Sequence, residues 1–195
     1  MSVAPMGDGA WRVELPAGCD PVAVLDALRA LAGVDDVAVA DAHALVCLAE
    51  GAMVPDLSAT VAAAARAPRE SREWTLRVAY DGDDLAAVAG ALGRAVDEVV
   101  RAHTAEAWEV LRMGFLPGFA YLGPLPPSLA VPRRATPRTR VPAGSVALAG
   151  ARTGVYPFAS PGGWNLLGRC LDLPLFDPVD GTRWRVGDRV RFVAA

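Results

Sequence analysis

The sequence contains no lysine: all 19 basic residues among its 195 are arginine. A lysine Schiff base, a phosphate-loop lysine and a lysine general base are therefore excluded. Any anion must be held by guanidinium groups or backbone N–H groups. Histidine is nearly as scarce, with only His43 and His103. The three cysteines, Cys19, Cys47 and Cys170, are odd in number and far apart. Neither set has zinc-site spacing, so no metal site is expected, and unpaired thiols in a reducing compartment are. No basic stretch leads into an apolar leader, and no apolar run is long enough to span a bilayer. A cytoplasmic protein without a membrane segment is the expectation. The net charge is only −3, which predicts no electrostatic grip on nucleic acid.

What is present suits a globular protein: 53% hydrophobic and 21% charged residues. Residues 10–15 read as a strand. Asp20 reads as a helix N-cap with Pro21 at the first helical position, Leu25, Leu28 and Leu31 at helical spacing, and Gly33 as the stop. Residues 36–40 and 44–49 suit two strands joined at Asp41–Ala42, and residues 55–67 a second helix. This β-α-β-β-α order predicts a ferredoxin-like α/β domain over residues 1–73, with the polar stretch 68–73 as linker.

A strand then opens at Trp74. Asp83 or Asp84 caps a helix reaching Gly93, and Asp97 opens another through His103. From 106 onward, short apolar runs (AWEVL, SVALA, TGVY, NLLG, RVRFV) alternate with Gly and Pro, which predicts a β-barrel or sandwich over residues 74–195. The final RWRVGDRVRFV reads as a hairpin about Gly187–Asp188. The overall class is α+β.

Three segments carry the chemistry. In GFLPGFAYLGP (114–124), Gly114, Gly118 and Gly123 permit unusual backbone angles, Pro117 stiffens the chain, and Phe115, Phe119 and Tyr121 supply aromatic surface. The segment reads either as a rigid loop lining a pocket or partner contact, or as a barrel loop pinned by its own rings. In VPRRATPRTRVPAGSV (131–146), Arg133, Arg134, Arg138 and Arg140 fall within eight positions. Pro132 and Pro137 hold that stretch extended, so its guanidinium forks face either carboxylate or phosphate oxygens, or acidic neighbours. In TGVYPFASPGGWNLLGR (153–169), Gly162 and Gly163 suggest an anion-binding nest of backbone N–H groups. Ser160 and Tyr156 add hydroxyls and Trp164 a stacking face; a tight turn around a core tryptophan is the other reading. No Gly-Lys-Ser/Thr phosphate loop is present. Asp177 in LFDP reads as a turn brace.

These segments, with LDLPLFDP at 171–178, resemble the allophanate-hydrolase subunit 1 family, which includes the 5-oxoprolinase B subunits and the sporulation kinase inhibitor KipI. The resemblance is close over about residues 74–193. It implies a cyclophilin-like, carboxyltransferase-type barrel after the small domain. It implies ATP, with magnesium, as co-substrate for opening 5-oxoproline (pyroglutamate) to glutamate. It also implies a subunit 2 partner (the KipA-like C subunit of 5-oxoprolinase) and a third, LamB/YcsF-type partner (the A subunit). The family arginines match Arg133, Arg134 and Arg138, expected to stabilise developing negative charge. The family histidine matches His103, a candidate proton shuttle. The sequence departs from the family at Arg152, where glutamine is common, and at Cys170, where threonine is common. The KipI likeness implies an alternative, a regulator that docks on a sensor histidine kinase and blocks it. The Met-Lys-Met of biotin attachment and the Ser-Ser-Lys of amidases are absent.

Overall fold

The first helix starts where its capping residue dictates. Asp20 Oδ1 accepts the N–H groups of Val22 (2.8 Å) and Ala23 (3.4 Å), and Pro21 begins α1 (Pro21–Arg29). The computed structural model describes residues 2–40, 42–66 and 71–195, and the chain divides into two units, Met1–Ser71 and Arg72–Ala195.

In the first unit, β1 (Val3–Pro5), β2 (Ala10–Glu14), β3 (Val34–Ala40) and β4 (His43–Leu48) form an antiparallel sheet of order β1-β2-β4-β3. β4 lies between β2 and β3, the split βαβ arrangement that the sequence order predicts. β1 is an added edge strand with no counterpart in that prediction. α2 (Leu57–Ala64) starts later than Pro55, because Asp56 Oδ1 accepts the Ala59 N–H at 2.9 Å and sets the cap there. The expected helix end at 67, the joint at Asp41 and the first half of the expected linker, 68–70, lie outside the described residues. Val13, Val24, Leu28, Val37, Val46 and Val61 form this unit's core.

The second unit is a closed seven-stranded barrel of order β10-β7-β6-β15-β5-β12-β9. Its strands are β5 (Glu73–Ala79), β6 (Ala107–Met113), β7 (Ala120–Gly123), β9 (Ser145–Ala149), β10 (Arg152–Val155), β12 (Asn165–Cys170) and β15 (Arg189–Ala194). Two short pairs lie outside it: β8 (Arg138–Val141) with β11 (Ser160–Gly162), and β13 (Phe176–Asp177) with β14 (Gly181–Thr182). Helices α3 (Leu85–Ala91) and α4 (Val96–Thr104) contribute Val88 and Val99 to a core with Leu76, Val110, Leu122, Val146, Leu148, Leu167 and Phe192. No helix among the described residues is long and apolar enough to cross a membrane.

Three local expectations are corrected. Asp97 does not open α4; the helix begins at Val96, and Glu98 Oε2 accepts the Ala95 N–H at 2.8 Å. The terminal hairpin is absent: β15 pairs in parallel with β5 and antiparallel with β6. The Gly-Asp step instead buries the Asp188 carboxylate, which accepts the N–H groups of Arg72, Trp74 Nε1 and Arg185 at 3.0–3.1 Å. A buried carboxylate needs such donors, and supplying them takes the chain out of hairpin geometry. Third, Asp84 occupies the N-cap position of α3 but makes no side-chain capping bond.

Candidate functional site

Strand β9 separates two clusters by its alternation. Val146 and Leu148 face the barrel core, while Ala147 and Ala149 face a second group of Phe119, Val141, Tyr156, Trp164 and Leu166. Small residues on that second face leave room for rings. Phe119 stands edge-on to Phe115, Tyr121, Tyr156 and Trp164, with centroids 5.0–5.5 Å apart. These five rings, with Arg133, Pro137, Pro161, Gly162 and Gly163, line a cavity of about 220 Å³. Phe115 sits at its rim, 56% exposed, and holds φ +74°, a left-handed angle unusual for a bulky residue. Pro117 and Gly118 shape the same loop without lining the cavity; Gly118 has φ +80°.

The SPGGW segment is a strand edge rather than an anion nest. Ser160–Gly162 pairs with β8, and neither Gly162 nor Gly163 has positive φ. A nest needs alternating backbone hands, which are missing here. Gly162 serves close approach instead. A Cβ there would collide with the Tyr156 hydroxyl and lie 3.0 Å from its Cε1 and Cζ. Ser160 is buried and donates to the Pro161 carbonyl at 3.3 Å. Burial raises the Tyr156 pKa, against a lowering backbone hydrogen bond from Trp164. The hydroxyl therefore stays protonated at neutral pH beside the cavity.

The arginine cluster divides. Asp84, with its side chain 7% exposed, takes Arg134 Nη1 at 2.6 Å and both terminal nitrogens of Arg138 at 2.8 and 2.9 Å. It also accepts the Leu166 N–H at 2.8 Å. Burial pushes the Asp84 carboxyl up, but the Arg138 and Leu166 hydrogen bonds and the two guanidinium charges outweigh it and hold it below its ordinary value. Gly82 makes the placement possible: a Cβ there would overlap the Leu166 backbone, onto which the 81–84 turn packs through Gly82 N–H to Leu167 O and Asp84 N–H to Leu166 O. Arg134 and Arg138 are thus neutralised by Asp84 and do not line the aromatic cavity. Arg133 does line it, and has no carboxylate partner among the described residues. Its neighbours fix its backbone: Pro132 O accepts Asn165 Nδ2 at 2.9 Å, and Arg134 N–H donates to Gly163 O at 2.9 Å.

His103 lies apart from the cavity. It is fully buried and stacked on Phe192 at 4.6 Å. Thr153 Oγ1 donates to Ala147 O at 3.0 Å, so it accepts from His103 Nε2–H at 2.8 Å, and Nδ1 accepts from the Tyr80 hydroxyl at 2.7 Å. Desolvation lowers the His103 pKa to about 3. A neutral imidazole with both nitrogens bonded inside the barrel is a core residue, and the proton-shuttle expectation is corrected. Asp177 braces a turn as expected, accepting from Val179 and Asp180 N–H at 2.8 and 3.0 Å.

Sequence reasoning missed the grip of Asp84. Its signal was an acidic pair, Asp83-Asp84, within a chain whose Arg-Pro-rich stretch needs a counter-charge. Among the described residues no group of three or more His, Cys, Asp or Glu could hold a metal ion.

Comparison with known proteins follows the same outline. The family model for the carboxyltransferase domain, subdomain C and D, matches residues 1–184. The 5-oxoprolinase B subunit of Escherichia coli O157:H7 is 50% identical over 129 residues, covering 64% of this chain and 59% of that protein. The Haemophilus influenzae 5-oxoprolinase B subunit is 43% identical over 129 residues, covering 64% and 60%. The chain thus spans about three fifths of the length of these relatives. Among solved structures, TTHA0988 is 35% identical with a TM-score of 0.81, over 95% of this chain and 39% of that one. The uncharacterized protein PH0987 from Pyrococcus horikoshii is 30% identical with a TM-score of 0.60, over 100% and 97%.

Proposed function

The chain belongs to the carboxyltransferase-domain family, subdomains C and D, in the branch of the 5-oxoprolinase B subunits, and from that premise we propose that it is one component of an ATP-dependent, multi-subunit 5-oxoprolinase. The observation that carries the reading is the five-ring cavity with Arg133 on its wall. A small cyclic amide carrying a carboxylate suits such a site: the ring lies among aromatic faces and the carboxylate meets a guanidinium fork. The protonated Tyr156 hydroxyl is a donor for the lactam oxygen. ATP phosphorylates that oxygen and ADP departs. One water then adds at the ring carbonyl carbon, and the C–N bond breaks as the nitrogen takes a proton. This leaves an acyl phosphate, which a second water hydrolyses to the carboxylate and inorganic phosphate. Guanidinium donors stabilise the negative charge of these steps.

The partners are a KipA-like subunit 2 and a LamB/YcsF-type third subunit, which supply the rest of the site in the cytoplasm, where ATP is available. The test is glutamate release from 5-oxoproline by the purified chain alone and after co-expression with both partners. Release is expected only from the complex and only with ATP. Activity of the chain alone, or an inert complex, contradicts the proposal. A second reading, docking on a sensor histidine kinase, draws on the exposed Phe115 ring; inhibition of kinase autophosphorylation by the chain distinguishes it.

A further inference from the structure

A second cavity, of about 320 Å³, is lined by Arg112, Arg133 and Arg152 together with Tyr121, Pro132, Ala149, Gly150 and Trp164. It shares Tyr121, Arg133 and Trp164 with the aromatic cavity. The three arginines come from separate elements: Arg112 from β6, Arg133 from the segment before β8, and Arg152 from β10. Each is positioned. The Arg112 guanidinium lies 4.3 Å over the Tyr121 ring, Arg152 Nη1 donates to Ala151 O at 3.1 Å, and the backbone on both sides of Arg133 is pinned as described above. Arg133 and Arg152 bring two positive charges to one concavity, and an anion there offsets their mutual repulsion.

We infer that this cavity binds a phosphoryl group carrying two or more negative charges. One guanidinium fork satisfies a carboxylate; several guanidinium groups lining one cavity supply the further donors that the oxygens of a phosphoryl group take. In a chain without lysine or a phosphate loop, arginines are the donors left for that task. The inference deepens the oxoprolinase reading, in which the phosphoryl group is that of ATP beside the cyclic amide, yet it concerns binding by this chain alone.

The test is calorimetric titration of the purified chain with pyrophosphate, inorganic phosphate and glutarate at constant ionic strength. Pyrophosphate binds saturably, more tightly than glutarate. Arg133→Gln and Arg152→Gln each weaken it at least about tenfold, the worth of one charge-assisted hydrogen bond, while Arg140→Gln leaves it unchanged. Should Arg112→Gln unfold, the other two variants decide. Absence of saturable binding, equal loss in Arg140→Gln, or glutarate binding as tightly as pyrophosphate overturns the inference. Pyrophosphate binding with an inert complex sinks only the oxoprolinase reading. Turnover by the complex without pyrophosphate binding sinks only this one.

Discussion

Arg138 holds Asp84 in a two-pronged grip, Nη1 to Oδ2 at 2.8 Å and Nη2 to Oδ1 at 2.9 Å. Arg134 adds a third bond to the same carboxylate at 2.6 Å. This pairing joins the Arg-Pro-rich segment to the start of α3 and sets the neighbouring Arg133 in place. Replacing Asp84 by Ala leaves two partly exposed guanidinium groups and the Leu166 N–H without their acceptor. The expected cost is about 3 kcal/mol, the lower end for breaking a buried pair, because the arginines keep some solvent. Urea denaturation of Asp84→Ala checks it, and a loss below about 1 kcal/mol contradicts it.

Gly162 and Tyr156 occupy one space. Gly162→Ala forces its methyl into the tyrosine ring and is expected to destabilise by about 1–3 kcal/mol, as overpacking does. The hydroxyl is the nearest atom, so adding Tyr156→Phe recovers part of the loss. A double-mutant cycle with purely additive losses rules out the direct clash.

His103 links stability to pH. Its folded pKa of about 3 lies below the ordinary value near 6.5. Between these values the unfolded chain binds the proton and the folded chain does not. Its contribution is therefore complete above about pH 6.5 and is lost on acidification, at about 1.4 kcal/mol per pH unit. Denaturation midpoints measured from pH 7 to pH 4 should fall more steeply for the wild type than for His103→Gln. Parallel curves contradict the neutral-core assignment.

Phe115 holds φ +74° with its ring at the cavity rim. Phe115→Gly relieves backbone strain while removing ring contacts, so stability is expected to change by no more than about 1 kcal/mol. Ligand binding in the aromatic cavity, followed by the tryptophan fluorescence of Trp164, should weaken. Unchanged binding places the ligand elsewhere.

How much of this was legible in the sequence depends on range. Asp20 and Pro21 announced α1 because a cap and its helix are neighbours in the chain. The short apolar runs foretold barrel strands, since alternation is local. Asp83 or Asp84 was read as a cap because the true partners of Asp84 lie 50 and 54 positions away, where no periodicity reaches. Gly162 was left between an anion nest and a tight turn because glycine marks both unusual angles and close approach, and only the position of the Tyr156 ring reveals the close approach. His103 kept a catalytic reading because its burial between Tyr80, Thr153 and Phe192 exists only once the barrel closes. Phe115, Tyr121, Tyr156, Trp164 and Arg133 were named from the sequence, and the fold brings those five around one cavity.

The most direct test is ATP-dependent glutamate formation from 5-oxoproline by the complex reconstituted with its KipA-like and LamB/YcsF-type partners, comparing wild type with Arg133→Gln. The wild-type complex is predicted to turn over, and the variant to lose at least about tenfold, as for removal of one charge-stabilising donor, with its folding intact. Full turnover by the Arg133→Gln complex, or none by the wild-type complex, contradicts the role given to the Arg133 cavity.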